Sequence, residues 1–516
     1  MNNKNSIKAK KKLSFIRAAI LWTLLFALLI LFASCAPKND GDGSSENDKT
    51  DKTDKTGINA DHNNGGITEI PEEAAEDETY KLPSADFNGY IMRLLTMKED
   101  DWAISNLDAG GETGEPVNDA MYRRNRQVEE TLNVVIQEIP SGYFPEDKFK
   151  KSILSNTDEY DLMFAHAYGA GPVASAGFYL NLHDIASLNL DQSYWDQGAI
   201  KSFELMNKLY FTTSDACVMT SDSIWVLYFN KKIVQNLGLE DPYRIAREGK
   251  WTMDAMNKMS REAAKDIDGD GVFTAADQWG LSSHGLAFLE FLECQGVQLV
   301  VKDSNGYPVL TEPGDKFVKA FSNVRSLMDK TNGMYLEAGA LKGSQYDHAT
   351  KTFMNDMSLF CAEVLGWARR FREMTADFGI LPHPKFDENQ PAYLNVTADS
   401  VPVIGIPITN PDPERVGVFI DALTALSATT VTPAYYTISL EGKFTRDEDS
   451  IEMLDIIRSN RIYDLAVIYN WGGFYGSIIT YGNSKSGDNP VTVFDKNGDK
   501  VRAKIAETVA VFEEIK

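Results

Sequence analysis

The sequence predicts an α/β fold in which helices cover a parallel sheet. Two observations carry the class: apolar, β-branched runs at 90–97, 134–139 and 160–165, and amphipathic helical patterns at 118–133 and 145–155 between them. The resulting β-α-β-α-β order with right-handed crossovers makes the strands parallel. A third observation fixes the scale. With 516 residues, 43% hydrophobic and 11% aromatic, the chain suits two or three globular domains rather than a disordered polymer. Its formal charge of −24, from 51 Lys+Arg against 75 Asp+Glu, argues against a nucleic-acid surface, which needs clustered cations.

The chain begins with Lys4, Lys8, Lys10, Lys11, Lys12 and Arg17 and no acid before residue 18. Residues 18–33 are sixteen uncharged and nearly all apolar residues. A membrane span needs about 20, so this run fits a signal h-region, with an uncleaved helical anchor as the alternative. It closes on Leu31-Phe32-Ala33-Ser34-Cys35, which resembles a bacterial lipoprotein lipobox, with Phe32 where leucine is usual. The resemblance implies a signal peptide over 1–34, a diacylglyceryl group on Cys35, and a body held at the extracytoplasmic face of the cell membrane. Residues 35–85 then read as a lipidated cysteine on a disordered acidic tether. Its part from 36 to 84 holds thirteen acids against five lysines and repeats Asp-Lys-Thr at 48–50, 51–53 and 54–56. Cys217, Cys294 and Cys361 sit in apolar or mixed surroundings far apart in sequence, which reads as small buried thiols.

Ordered structure is expected from about residue 86. Ligands in parallel α/β sheets sit beyond the carboxyl ends of strands. That places Asp101 and Trp102 after the first strand and His166 and Tyr168 after the third as binding candidates. The segment 208–230 reads as two extended runs around a Ser/Thr/Asp-rich centre, followed by a helix at 231–237 and a turn at 238–242. Thr252 caps a further helix whose Met253, Met256 and Met259 share one core-facing side.

These segments, read with the lipobox and tether, resemble the family 1 extracellular solute-binding proteins of bacterial ABC importers. The likeness rests on YDLMFAHAYG at 160–169, on LYFNKKIVQNLGLEDP from 227 and GKWTMDAMNKMSREA from 249, and on FGILPHPKFDENQPAY from 378. It covers roughly 86–516. It implies a periplasmic-binding-protein-like fold, with two α/β lobes joined by crossing hinge strands and a ligand cleft between them. By analogy lobe one is 86–214 plus 358–397, and lobe two is 215–357 plus 398–516. The hinges then lie near 215–225, 351–358 and 396–402. The family also implies no catalysis, a small solute that is a sugar or oligosaccharide, and ABC-transporter permease subunits as partners.

A sugar cleft needs flat aromatics against ring faces and polar groups at hydroxyl edges. Candidates beyond those already named are Asp215, Asp222, Ser223, Trp225, Glu363, Trp367 and Trp471. For Trp225, flanked by Ile224 and Val226, core and cleft remain equal alternatives. Trp471, beside Gly472 and Gly473, reads as exposed. G-x-S-x-G, H-E-x-x-H, S-x-x-K and P-loop patterns are missing from the sequence. An exported polysaccharide hydrolase with paired carboxylates, or a sugar sensor without transport, remain the alternatives.

Asp266, Asp268, Asp270, Gly271 and Asp277 fit the D-x-D-x-D-G-x5-D spacing of a calcium loop, with the Val272 carbonyl as a further ligand. The expectation is a structural Ca2+ at 266–277. The alternative is an Asp/Gly-rich surface turn.

Overall fold

Three short apolar runs open the first sheet: β1 (Tyr90–Thr96), β2 (Val134–Pro140) and β3 (Leu162–His166). β1 lies between the other two and pairs in parallel with both, Tyr90 opposite Val134 and Leu94 opposite Leu162. The helices Pro116–Leu132 and Glu146–Leu154 make the crossovers, as the amphipathic patterns predict. Local chemistry sets the longer helix. Pro116 stands in its first turn, the Glu115 carboxylate accepts from Asn118 N–H at 2.8 Å, and Asn133 ends it in the left-handed region at φ 48°.

The computed structural model describes residues 80–97, 103–274, 276–331, 333–337, 347–436, 448–484 and 489–515. The chain divides into two units, Met1–Asp77 and Glu78–Lys516, and every described residue belongs to the second. The signal, Cys35, nearly all of the tether, and Asp101 with Trp102 lie outside the described residues.

The chain continues through β4 (Trp225–Asn230), β5 (Trp279–Ser283), the hairpin β6 (Val300–Lys302) and β7 (Pro308–Leu310), and β8 (Tyr335–Glu337). It then runs through β9 (Ser358–Val364), β10 (Phe378–Leu381), β11 (Asn395–Val396), β12 (Pro402–Gly405) and β13 (Arg461–Ile462). A second, five-stranded sheet has the order β10-β4-β9-β5-β8, and the first sheet is completed as β12-β3-β1-β2. β4 is antiparallel to both β9 and β10, while β5 runs parallel to β8 and β9. β4 and β9 are buried at every position, so both read as continuous apolar runs rather than alternating ones.

The sheets correct the expected partition. β9 and β10 lie within 358–397, yet they pair with β4 rather than with β1–β3. β12 belongs to the first sheet, antiparallel to β3, with Pro402 opposite His166. The segment 351–358 is no crossing either, because the helix Asp347–Met354 leads directly into β9 of the same sheet. Among the described residues, two chain passes between the sheets run side by side and antiparallel. Thr212 and Ile404 exchange backbone hydrogen bonds, and Ala398 N–H donates to the Ser223 carbonyl at 2.8 Å. These passes span 215–225 and 396–402.

The C-terminal region packs closely onto the first sheet's helices. Gly171, in the helix Ala167–Ser175, lies so near the chain at 468–469 that a Cβ there would sit 2.3 Å from the Ile468 carbonyl oxygen. Only glycine permits that approach. Met253, Met256 and Met259 are buried in the core, and the Thr252 hydroxyl caps their helix by accepting from Ala255 N–H at 3.3 Å.

Candidate functional site

Where the two passes meet the second sheet, a pocket of about 520 Å³, its open mouth included, lies against Trp225 and the crossing residues 396–401. Trp225 is the first residue of β4, directly after the pass, so the strand fixes its ring at the junction. It is only 4% exposed, belongs to a small buried cluster with Val364 and Ala398, and lines the pocket. The helix Ala287–Glu293 presents Leu289, Glu290 and Glu293 to the same space. Asp399, Tyr463, Asp464 and Tyr475 close it from the second pass and the C-terminal region.

The electrostatics are unusual for a mainly apolar wall. Glu290 and Glu293 are 5% and 2% exposed, and among the described residues Glu290 Oε2 and Glu293 Oε1 have no hydrogen-bond partner. Burial, and then neighbouring carboxylates, holds both acids well above the usual range. Burial also pushes Asp399 and Asp464 up to about 6 each. Asp464 is nevertheless anchored, because its oxygens accept from Leu299 N–H at 2.9 Å and Ala466 N–H at 2.6 Å. Behind the pocket, burial lifts Glu363 to about 8 and lowers His284 to about 4, which keeps that imidazole neutral. His284 packs its ring 5.0 Å from Trp225 and stands 4.0 Å from Glu363.

On the first sheet's side, an aromatic ledge lies at the carboxyl end of β3. His166 and Tyr168 stack with ring centres 5.5 Å apart, and Tyr143 and Phe144 add exposed rings beside them. His166 Nδ1 lies 2.8 Å from the Ser400 carbonyl, and Tyr168 N–H donates to the Asp399 carbonyl at 3.1 Å. Asp399 thus belongs to both the ledge and the pocket. The exposed rings of the ledge are Tyr143 and Phe144; His166 is buried, and none of the four lines the pocket.

The remaining sequence candidates separate. Trp367 packs on the cluster of Trp225, Val364 and Ala398, and Glu363 stands on β9 opposite Val226; neither lines the pocket. Ser223 is buried in the pass. Asp222 is fully buried and committed elsewhere: Arg369 grips both of its oxygens at 2.6 and 2.9 Å, and Tyr435 O–H and Ile104 N–H complete the set. Its carboxylate holds the junction together rather than facing the pocket. Asp215 is half-buried and accepts from Thr432 Oγ1 at 3.1 Å, outside the pocket wall. Trp471 corrects the expectation of exposure. It is 3% exposed, stacks on Tyr469 at 4.7 Å and donates Nε1–H to Thr508 at 2.9 Å. Asn470, Gly472 and Gly473 all have positive φ, and the resulting tight turn folds the indole inward rather than outward.

The pocket acids Glu290, Glu293, Asp399 and Asp464, and the rings of Tyr463 and Tyr475, were not legible as site residues. The one signal was two glutamates three apart inside an otherwise apolar helix (Ala287–Glu293), which puts both on one face.

In the loop 266–277, carboxylate oxygens of Asp266, Asp268 and Asp270 lie within 4.8 Å of one another. Asp277 does not join them, contrary to its expected place as a ligand. Its oxygens accept from Ile267 N–H at 2.9 Å and from Thr274 N–H at 2.7 Å, which closes the loop from inside. Val272 is 60% exposed, and its N–H donates to Asp270 Oδ1. Cys217, Cys294 and Cys361 are free and buried.

No family model matches the chain, and no curated protein matches it. Solved structures do. An ABC substrate-binding protein of Listeria monocytogenes in complex with cycloalternan superposes over 82% of this chain and 98% of its own, with TM-score 0.51 and 13% identity. The maltose/maltodextrin-binding domain MalE of Bdellovibrio bacteriovorus bound to maltotriose covers 81% and 100%, at 0.51 and 13%. The protein has the two-lobed α/β fold of periplasmic binding proteins. UgpB of Mycobacterium tuberculosis in complex with glycerophosphocholine shares that fold over 77% of this chain and 98% of its own, at TM-score 0.54 and 16% identity. In this binding-protein fold, the first lobe is built on β12-β3-β1-β2 and the second on β10-β4-β9-β5-β8.

Proposed function

We propose that the protein is an extracytoplasmic solute-binding lipoprotein that captures a sugar or oligosaccharide and delivers it to an ABC importer. One observation carries the reading: a pocket at the junction of two lobes combines Trp225, Tyr463 and Tyr475 with buried carboxylates. Its solved neighbours include proteins bound to cycloalternan and to maltotriose. Ligand capture works by closing the lobes about the antiparallel passes at 215–225 and 396–402. A thermal-shift screen over mono- and oligosaccharides tests the assignment: at least one neutral or charged saccharide raises the melting temperature with saturation. A flat response across the panel removes it.

The reading includes lipidation at Cys35, with the acidic tether holding the body away from the membrane. Metabolic labelling with a palmitate analogue, lost in Cys35→Ala, is the expected result. It also includes a structural calcium ion at Asp266, Asp268 and Asp270, supported by the convergence of their oxygens, with Asp277 shaping the loop. Calcium then raises the melting temperature and a chelator lowers it. The Asp268→Ala/Asp270→Ala variant loses both responses, and a wild-type curve unmoved by either reagent removes the metal.

A further inference from the structure

We infer that the solute carries a positively charged amino group, making it a basic amino sugar rather than a neutral or acidic one. This deepens the carbohydrate-binding reading and rests on it.

The inference begins with the charges facing the pocket. Four acids line it, and the lining contains no lysine, arginine or histidine. Glu290 and Glu293 stand three residues apart on one helix, so both carboxyl groups face the same space. Among the described residues, each leaves one fully buried oxygen without a donor. A buried carboxylate oxygen without a donor is costly, and structures keep such groups where a ligand completes them. A carboxylate can also accept from sugar hydroxyls, so the missing donors alone do not select a cation. The crowding of acids with no lining base does. Glu290 lies within electrostatic reach of Glu363, Glu293 and Asp399, and Glu293 within reach of Asp464 and Asp399. Burial and this crowding keep Glu290 and Glu293 protonated in the empty pocket, and a neutral polyol leaves them so. A ligand ammonium group supplies three donors and the countercharge that lets a buried carboxylate form beside it. Trp225, Tyr463 and Tyr475 surround the same space, and their ring faces favour a cation as well as a sugar ring. A carboxylated or sulfated sugar would bring a further buried anion to a lining that holds no basic side chain.

The test uses β-1,4-linked glucosamine oligomers, their N-acetylated counterparts of equal length, a uronic acid oligomer and spermidine. Each is titrated calorimetrically into the full-length mature protein. The glucosamine oligomer is expected to bind at least tenfold more tightly than its N-acetylated counterpart, with no binding of the uronic acid. Glu290→Gln and Glu293→Gln keep the side-chain shape and are expected to erase most of that preference. Circular dichroism melts establish that each variant is folded.

Equal or tighter binding of the N-acetylated oligomer overturns the cationic proposal while leaving sugar binding intact. Undiminished preference for the amine in both folded variants overturns the assignment to these acids. Binding of spermidine with no response to any saccharide overturns the amino-sugar proposal together with the carbohydrate reading. So does silence across the panel.

Discussion

Replacing Asp222 by asparagine removes a negative charge from a place where four hydrogen bonds converge at the lobe junction. Arg369 donates from Nη1 to Oδ1 at 2.6 Å and from Nη2 to Oδ2 at 2.9 Å, Tyr435 O–H donates to Oδ1 at 2.6 Å, and Ile104 N–H donates to Oδ2 at 2.9 Å. An asparagine amide keeps one acceptor oxygen. Its NH2 then faces either Arg369 with Tyr435 or Arg369 with Ile104, so at least one pair of donors is set against each other. The hydroxyl of Tyr435 can rotate to accept, but neither the guanidinium nor a backbone N–H can. Removing one partner of a buried ion pair costs about 3–5 kcal/mol. The Arg369 side chain keeps 25% of its surface exposed, which places the loss near the lower figure. Urea unfolding followed by tryptophan fluorescence reads it out. Arg369→Met alone leaves Asp222 buried and unpaired and loses a similar amount. The double variant Asp222→Asn/Arg369→Met recovers part of the loss, because no buried charge remains. A single Asp222→Asn variant within about 1 kcal/mol of the parent, well below the range for breaking a buried pair, would refute the reasoning. Strict additivity in the double variant would do the same.

The buried acids make the empty protein less stable as pH rises. Carboxyls whose folded pKa lies above the unfolded value, such as Glu363 at about 8, stay protonated in the fold after the unfolded chain has ionised. Their stabilising effect is complete below about pH 4, near the unfolded carboxyl pKa, and is lost as pH climbs through the folded values. The melting temperature should therefore fall between pH 5 and pH 8.5, and Glu363→Gln should flatten that fall; a rising curve contradicts the assignment. Burial pushes the Cys217 thiol up to about 12 and the Cys294 and Cys361 thiols well above their usual range. A thiol reagent should accordingly label these three only after denaturation, and rapid labelling of the native protein would show that they are accessible. Gly171→Ala forces a methyl against the Ile468 carbonyl. Overpacking of this kind costs about 1–3 kcal/mol, read as a lower urea midpoint, and an unchanged midpoint would mean that the helix can shift.

Much of the first lobe was readable because its signals are local. β1, β2 and β3 and the two crossover helices announce themselves by period, by Pro116 and by the Asn133 terminus. Which sheet a later strand joins is a non-local fact. The apolar runs of β9 and β12 look alike, and nothing within either shows that β9 pairs with β4 while β12 pairs with β3. The site divides in the same way. Trp225 was legible as an aromatic next to a polar pass, although its apolar neighbours Ile224 and Val226 left core and cleft equal alternatives. Beyond their spacing, Glu290 and Glu293 carry no local mark of a site, and packing is what turns them inward. Trp471 misled because adjacent glycines suggest an open loop, whereas their positive φ values here fold the ring into the core. In the loop 266–277, spacing alone could not tell an acid that points outward from one that caps its own backbone, as Asp277 does.

The central claim is that the junction pocket beside Trp225 holds a saccharide. Calorimetric titration of the best saccharide from the thermal screen into the parent and into Trp225→Ala tests it most directly, with matched melting curves as the control for folding. The account predicts one saturable site per chain, intact ligand recovered afterwards, and affinity at least tenfold weaker in the variant, the about 1.4 kcal/mol that a stacked ring supplies. Unchanged affinity in a folded Trp225→Ala variant, or cleavage of the ligand during the titration, would contradict it.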